Sequence, residues 1–192
     1  MKRRLFLSIE IPEPVCRQIQ KQIQPLESEL ETAGIRSIPQ GNWHLTLIFL
    51  DYQEDADVGN IVQAMEAIIP TTIAPDIQFT ELSYGPIGKP PRMLWLNGSS
   101  ATSDSLNLIR SRLEEALVDH RVRFPREHRK FHTHLTLARF PEHLRAVSLV
   151  IPQITPIEFV APCLNLMESH TSREEAEYVL LQSIAFQFES IT

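Results

Sequence analysis

Apolar positions along the chain switch repeatedly between a two-residue and a four-residue period. Residues 5–11 are a short apolar run and predict a buried strand. Pro12-Glu13-Pro14 then opens a helix, with Val15, Ile19 and Ile23 at four-residue spacing. Pro25 is expected to kink or end that helix, because it lacks the N–H of the helical ladder. Residues 26–33 continue the helical pattern, and Gly34 suits its C-terminal cap. Residues 35–38 are a short strand candidate, and residues 39–42 a turn.

Residues 43–50 predict a strong strand. A helix begins near Asp55, with Val58, Ile61, Val62, Met65, Ile68 and Ile69 on one face and Pro70 as its stop. Residues 77–82 and 93–96 predict two strands, joined by a Gly- and Pro-rich loop too long for a tight hairpin. Leu106, Ile109, Leu113, Ala116 and Leu117 mark another amphipathic helix. Residues 118–131 form a basic connector before a strand at 133–140. A short helix at 141–150 and strands at 157–160, 163–168 and 176–188 complete the pattern. Helices and strands mix without the steady alternation of a parallel sheet, which predicts an α+β fold. No linker composition divides residues 1–192, so a single domain is expected.

Composition narrows the class further. Hydrophobic residues make up 43% and charged residues 22%, which is globular rather than disordered usage. No apolar run approaches the roughly 20 residues that span a bilayer, so no membrane partner is expected. Lys2-Arg3-Arg4 before Leu5-Phe6-Leu7 imitates the start of a secretory signal, but Ser8, Glu10 and Pro12 interrupt the apolar run. Two cysteines, Cys16 and Cys163, cannot build a disulfide framework, and a cytoplasmic location fits them.

One tetrapeptide occurs twice. His44-Leu45-Thr46-Leu47 returns ninety residues later as His134-Leu135-Thr136-Leu137, each copy inside a predicted strand. Side chains alternate along a strand, so His44 and Thr46 share one face, and Leu45, Leu47 and Phe49 the other. His134 and Thr136 likewise oppose Leu135 and Leu137. If two related halves face one another, two imidazoles and two hydroxyls converge on one cleft. Near pH 7 one imidazole can accept a proton while the other donates one. The hydroxyls can hold a phosphoryl oxygen as its charge builds. A phosphodiester suits that equipment, with no cofactor and no metal. His132 and His134 share a strand face and could chelate a metal, but no H-E-x-x-H pattern or cysteine pair supports this minor alternative.

These residues resemble the 2H phosphoesterase superfamily, and within it the RNA 2′,3′-cyclic phosphodiesterases, also called bacterial 2′-5′ RNA ligases (LigT-like). Arg4-Leu5-Phe6 with Ile9-Glu10-Ile11-Pro12 looks like that family's opening strand. Pro39, Asn42 and His44 to Leu47 with Phe49-Leu50 look like its first motif. Pro91-Arg92-Met93-Leu94-Trp95-Leu96 looks like its central strand, and residues 131–139 like its second motif. Glu168-Ser169 and Tyr178 fall where its last strands begin. The resemblance implies a bilobal pseudo-twofold fold, with an antiparallel sheet in each lobe, helices outside and a central cleft. It implies hydrolysis of terminal RNA 2′,3′-cyclic phosphates to 2′-phosphomonoesters, with 2′-5′ RNA ligation as a side activity. His44 would protonate the departing 3′-oxygen, His134 would activate water, and Thr46 and Thr136 would hold the phosphate. The residues themselves do not tell the two histidines apart. Alternatives are a phosphodiesterase for another small cyclic or 2′-5′-linked nucleotide, and a non-catalytic RNA-end binding module.

Two departures stand out. His132 and Thr133 replace the basic residue and proline common before the family's second histidine. Arg139 matches a substrate-binding arginine of the family, yet strict alternation puts it opposite His134. Either the strand bulges or ends there, or Arg139 serves the fold.

The formal net charge of −6 argues against broad coating of nucleic acid. Residues 121–145 nevertheless hold seven basic residues (Arg121, Arg123, Arg126, Arg129, Lys130, Arg139, Arg145) against Glu127 and Glu142. With Lys89 and Arg92 they form a candidate rim for the few phosphates of an RNA end or small nucleotide. Trp43, Tyr84 and Phe131 are candidates to stack a base, while Trp95, and Phe131 with it, read better as core. A monomer is expected.

Overall fold

The computed structural model describes residues 2–127, 129–141, 149–171 and 176–188. Its first strand, β1 (Lys2–Glu10), buries Leu5, Leu7 and Ile9 in the apolar core. α1 (Glu13–Thr32) follows, then a two-residue strand β2 (Arg36–Ser37), a 3-10 turn at Gln40–Asn42 and the long β3 (His44–Glu54). α2 (Val58–Ile68), β4 (Asp76–Gly85), β5 (Met93–Gly98) and α3 (Ser100–Asp119) occupy the middle. β6 (His134–Arg139), β7 (Ile157–Val160), β8 (Cys163–Thr171) and β9 (Ala176–Ala185) complete the strands. The helix expected at 141–150 lies largely outside the described residues. No helix among them is long and apolar enough to cross a membrane.

The strands form two antiparallel sheets, ordered β3-β1-β8-β9 and β2-β6-β5-β4-β7. Setting β2 aside, the orders correspond position by position. In both, a strand, a 20-residue helix and an antiparallel neighbour carrying the His-x-Thr motif follow in sequence (β1-α1-β3 and β5-α3-β6). The sheets are not the two halves of the chain, however. The first sheet takes β8 and β9 from the end of the chain, and β2 crosses to the second. The helix after β1 crosses too, since α1 packs on β2 and β7. α2 and α3 pack on one another, and α2 also reaches β9.

The register carries the same correspondence to single residues. In the first sheet His44 lies opposite Glu10, Leu45 opposite Ile9, Thr46 opposite Ser8 and Ile48 opposite Leu7. In the second, His134 lies opposite Asn97, Leu135 opposite Leu96, Thr136 opposite Trp95 and Ala138 opposite Leu94. Each motif strand thus carries one extra residue at the same place, Leu47 in β3 and Leu137 in β6. An extra residue in one strand of a pair is a β-bulge, and it shifts the alternation by one.

That bulge corrects the strict alternation expected from sequence. Leu47 and Ile48 are buried in succession, as are Leu137 and Ala138. Phe49 therefore does not share a face with Leu45. It lies opposite Phe6, is 56% exposed, and joins His44 and Thr46 on the cleft side. Arg139 is carried to the side of His134 in the same way.

Pro25 neither ends nor interrupts α1. The helix runs through it, and Pro25 itself is exposed while Ile23, Leu26 and Leu30 stay buried. The loss of one ladder bond falls on the solvent side, and the apolar stripe along the opposite side keeps the helix docked. Ala33 caps it, and Gly34 follows at a φ of 66°, a left-handed turn that a glycine accepts without a Cβ penalty.

Candidate active site

His44 and His134 stand at the first positions of β3 and β6. In each, the ring Nδ1–H donates to the backbone carbonyl two residues earlier: Asn42 at 2.8 Å for His44, and His132 at 2.9 Å for His134. This bond fixes the tautomer and leaves Nε2 of both rings as the nitrogen available to a ligand. The 3-10 turn Gln40–Asn42 aims the first carbonyl. The Thr46 hydroxyl lies 3.1 Å from His44 Nε2 and donates to it when the ring is neutral.

The two rings differ in their aromatic neighbours. His44 lies edge-on to Tyr178, with centroids 5.0 Å apart, and tilted against Phe6 at 4.9 Å. His134 is stacked on Trp95, with centroids 3.9 Å apart and planes 29° apart. His132 lies 6.3 Å from each of Trp95 and His134.

His44, Thr46, His134, Thr136 and Arg139 line one cleft of about 950 Å³ between the two sheets. Each of the five site residues expected from sequence is therefore brought to the same cavity. Arg4, Arg36, Arg110, Arg129 and Lys130 add positive charge to its walls, against Asp51, Glu114 and Glu127. Arg110 is buried, holding Glu114 at 2.8 Å and the Glu127 carbonyl at 3.0 Å, with its guanidinium over the Phe131 ring. The cleft is thus cationic in a chain whose net charge is negative, as an anionic ligand requires.

Burial holds both imidazoles below the ordinary histidine pKa. For His44, desolvation outweighs the Asn42 carbonyl bond, which favours the cation, and the charges of Arg139 and His134 push the same way as burial. For His134, desolvation outweighs the His132 carbonyl bond. The His132 charge adds to the lowering, and Glu127 opposes it. Both rings are therefore ready to accept a proton at neutral pH.

The basic rim is redrawn. Arg129, Lys130 and Arg139 line the cleft, whereas Arg121, Arg123, Arg126, Lys89 and Arg92 do not. Arg145 lies outside the described residues. Trp43 and Tyr84 are not at the cleft. Trp43 is buried with its indole N–H on the Ile38 carbonyl, and the Tyr84 hydroxyl accepts from the Leu149 N–H at 2.8 Å. Phe131 does line it, and so does Trp95, which is buried as sequence predicts and borders the cleft as well. Arg4, Arg36 and Arg110 had no local signal marking them. Phe49 had one: two successive apolar residues after each motif threonine betray the bulge. Among the described residues no group of three His, Cys, Asp or Glu side chains is placed to hold a metal ion.

Two facing antiparallel sheets each present a histidine and a threonine two residues apart to one cationic cleft. Residues 9–95 match the family model described as LigT like Phosphoesterase. E. coli LigT complexed with 3′-AMP has the same fold, at a TM-score of 0.73 and 22% identity over 97% of this chain and 99% of that one. TT0787 of Thermus thermophilus gives 0.70 and 22%, covering 97% and 100%. The MHV ns2 PDE domain gives 0.59 and 16%, covering 88% and 99%. No curated protein matches the chain in sequence. Residues 9–95 thus resemble the LigT-like phosphoesterases, and the chain as a whole shares the fold of those structures.

Proposed function

We propose that this protein is a phosphoesterase that hydrolyses terminal RNA 2′,3′-cyclic phosphates to 2′-phosphomonoesters, using His44 and His134 as general acid and base. The observation that supports it best is the convergence of two imidazoles with the same tautomer lock on one cationic cleft. His134 Nε2 takes a proton from water as its oxygen attacks phosphorus. The bond from phosphorus to the 3′-oxygen breaks, and protonated His44 gives its proton to that oxygen. The 2′-oxygen bond is kept, so a 2′-phosphomonoester remains. Proton exchange with solvent then returns both rings to their starting states. Thr46 and Thr136 donate to the phosphoryl oxygens, and Arg139 balances the charge that develops on them. Base, acid and donors are all side chains, so the reaction as written needs no metal and no cofactor.

The low proton affinity of both rings fits this scheme. A neutral base is present from the start, and the anionic phosphate raises the proton affinity of the acid as it binds. Structures of E. coli LigT hold ATP and 3′-AMP, which favours a nucleotide end as the ligand. Tyr178 lies edge-on to His44 and Phe49 lines the same cleft, and both offer faces for the terminal base.

The test is product analysis with an RNA ending in a 2′,3′-cyclic phosphate, in EDTA. The 2′-phosphomonoester is expected from the unmodified protein. His44→Ala and His134→Ala should each lower turnover by about 10²–10⁴-fold. A 3′-phosphate product, or full activity in either variant, refutes the assignment. Comparable rates on mononucleotide cyclic phosphates would favour a small nucleotide over RNA. Binding without turnover would make the protein an RNA-end binding module.

A further inference from the structure

The correspondence between the sheets isolates one place where the two histidines are treated differently. Trp95 lies opposite Thr136, and its counterpart opposite Thr46 is Ser8. One strand further in, Gly85 lies opposite Met93, and its counterpart Met167 lies opposite Phe6. The first sheet thus carries a small residue at the inner motif position beside a large one. The second carries tryptophan beside glycine.

The glycine is what admits the indole. A Cβ at Gly85 would lie 2.3 Å from two ring carbons of Trp95, and no side chain fits there. Gly85 on β4 and His134 on β6 flank β5 from opposite sides. Trp95 therefore lies between them, 7% exposed, with the His134 ring at stacking distance. Among the described residues no hydrogen bond orients the indole, because its buried Nε1–H has no partner. An unpartnered buried donor is unfavourable, so phenylalanine would serve a purely packing role better. The position of the ring is set by what its faces touch.

We infer that Trp95, seated on Gly85, is a positioning residue that makes the two histidines inequivalent by fixing the plane of His134 and stabilising its imidazolium through the indole face. A cation over the face of tryptophan is attracted by the ring quadrupole, more strongly when desolvated, and tryptophan exceeds phenylalanine in this. Leucine keeps apolar cover and has no such face. The charged groups that shift His134 are His132 on its own strand approach and Glu127 on the connector, and His134 in turn acts on His44 across the cleft. None of them is altered by changing Trp95. His44 has Tyr178 and Phe6 instead, from β9 and β1.

This inference deepens the proposed reaction and rests on that reading for its kinetic arm only. The primary experiment is NMR titration of the imidazoles in the full chain, which needs no turnover. Trp95→Leu should move the His134 midpoint to lower pH and leave that of His44 in place. Trp95→Phe should give a smaller step in the same direction, and Gly85→Ala should resemble Trp95→Leu by forcing the indole off its seat. In the kinetic arm, the limb of the pH–rate profile set by His134 should move down alone, with kcat lowered by about 2- to 30-fold in Trp95→Leu and largely restored in Trp95→Phe. An unmoved or raised His134 midpoint, or equal movement of both histidines, overturns the inference. If Trp95→Leu does not fold, Trp95→Phe decides: an unchanged His134 midpoint there is the overturning result. Loss of the proposed activity in the unmodified protein, with the NMR shifts as described, would overturn the function and leave this inference standing.

Discussion

Arg139 offers the sharpest check on the link from bulge to site. Without the extra residue at Leu137, the guanidinium would point away from His134 and serve the fold. With it, the side chain enters the cleft, where its charge already acts on His44. The same register sets Arg139 directly opposite Arg36 of β2, and both line the cleft. Like charges opposite one another across a strand pair cost roughly 0.2–1 kcal/mol. A charge-assisted hydrogen bond to a phosphoryl oxygen contributes about 1.5–3 kcal/mol, which corresponds to about 10- to 150-fold in kcat/KM. Arg139→Ala should therefore move two quantities in opposite directions. Turnover of a nucleoside 2′,3′-cyclic phosphate, followed by product chromatography, should fall by that factor. The melting temperature, measured without ligand by calorimetry, should stay level or rise. Arg139→Lys should keep the charge, lose the planar fork and fall between. If Arg139→Ala destabilises the protein and leaves kcat/KM within twofold, the residue serves the fold and the parity argument is wrong.

Other consequences can be measured with the same reagents. Since burial depresses both imidazoles in the free protein, kcat/KM should peak below pH 6.5 and fall about tenfold per unit above the peak, as the protonated acid is lost; a peak above pH 7.5 contradicts this. The same depression makes the unfolded chain bind more protons than the folded one as pH drops through 6.5, so stability should decline from there toward the folded pKa values. Thermal melts of the wild type should show that decline, and His44→Ala with His134→Ala should flatten it. Phe49→Ala removes an exposed ring from the cleft and should raise KM for base-bearing substrates by about 5- to 150-fold, the worth of one stacked base, with no loss of melting temperature; an unchanged KM would remove Phe49 from the binding surface. Leu96→Ala empties a core position 1% exposed and should cost about 2–5 kcal/mol in denaturant unfolding.

Much of this architecture was legible because burial writes a period into the chain. The stripes Val15–Ile19–Ile23 and Leu106–Ile109–Leu113 became α1 and α3, and the motif strands appeared where their apolar runs begin. What failed was local inference that ignored tertiary support. Pro25 is a poor helix residue, yet Leu26 and Leu30 hold their turns against the core. Phe49 was set on the wrong face because alternation was carried across a bulge. Trp95 is buried as its place in a central strand predicts, but that pattern does not show that it also borders the cleft. Its neighbour Gly85, ten residues away, is what turns the ring toward His134. Arg4, Arg36 and Arg110 come from three separate elements and meet only through the folding of the sheets, so no linear pattern could assemble them.

Hydrolysis of a phosphodiester requires one partner to lose a proton while the other gains one. A repeated strand–helix–strand unit supplies two histidines in the same register, with the same tautomer lock, and so supplies the opposite of what the reaction needs. Two identical imidazoles sharing one phosphate would exchange roles freely, and half of the bound molecules would hold the proton on the wrong side. The difference must come from positions that the repeat leaves free. Three pairs of equivalent positions carry it. Phe49 stands where the other strand has Arg139, Ser8 where it has Trp95, and Met167 where it has Gly85. The first sets an exposed aromatic face on one motif strand and a cation on the other, so that under the proposed reaction the base and the phosphate charge of a nucleotide would enter in one orientation. The second and third give one histidine an indole to lie on. On this view the motif residues determine that chemistry occurs, and their unmatched neighbours determine its direction. Exchanging Phe49 and Arg139 should therefore cost more activity than the two single alanine substitutions together, because it inverts the orientation of the substrate rather than loosening it. A loss no larger than the product of the single effects would show that the two positions act independently.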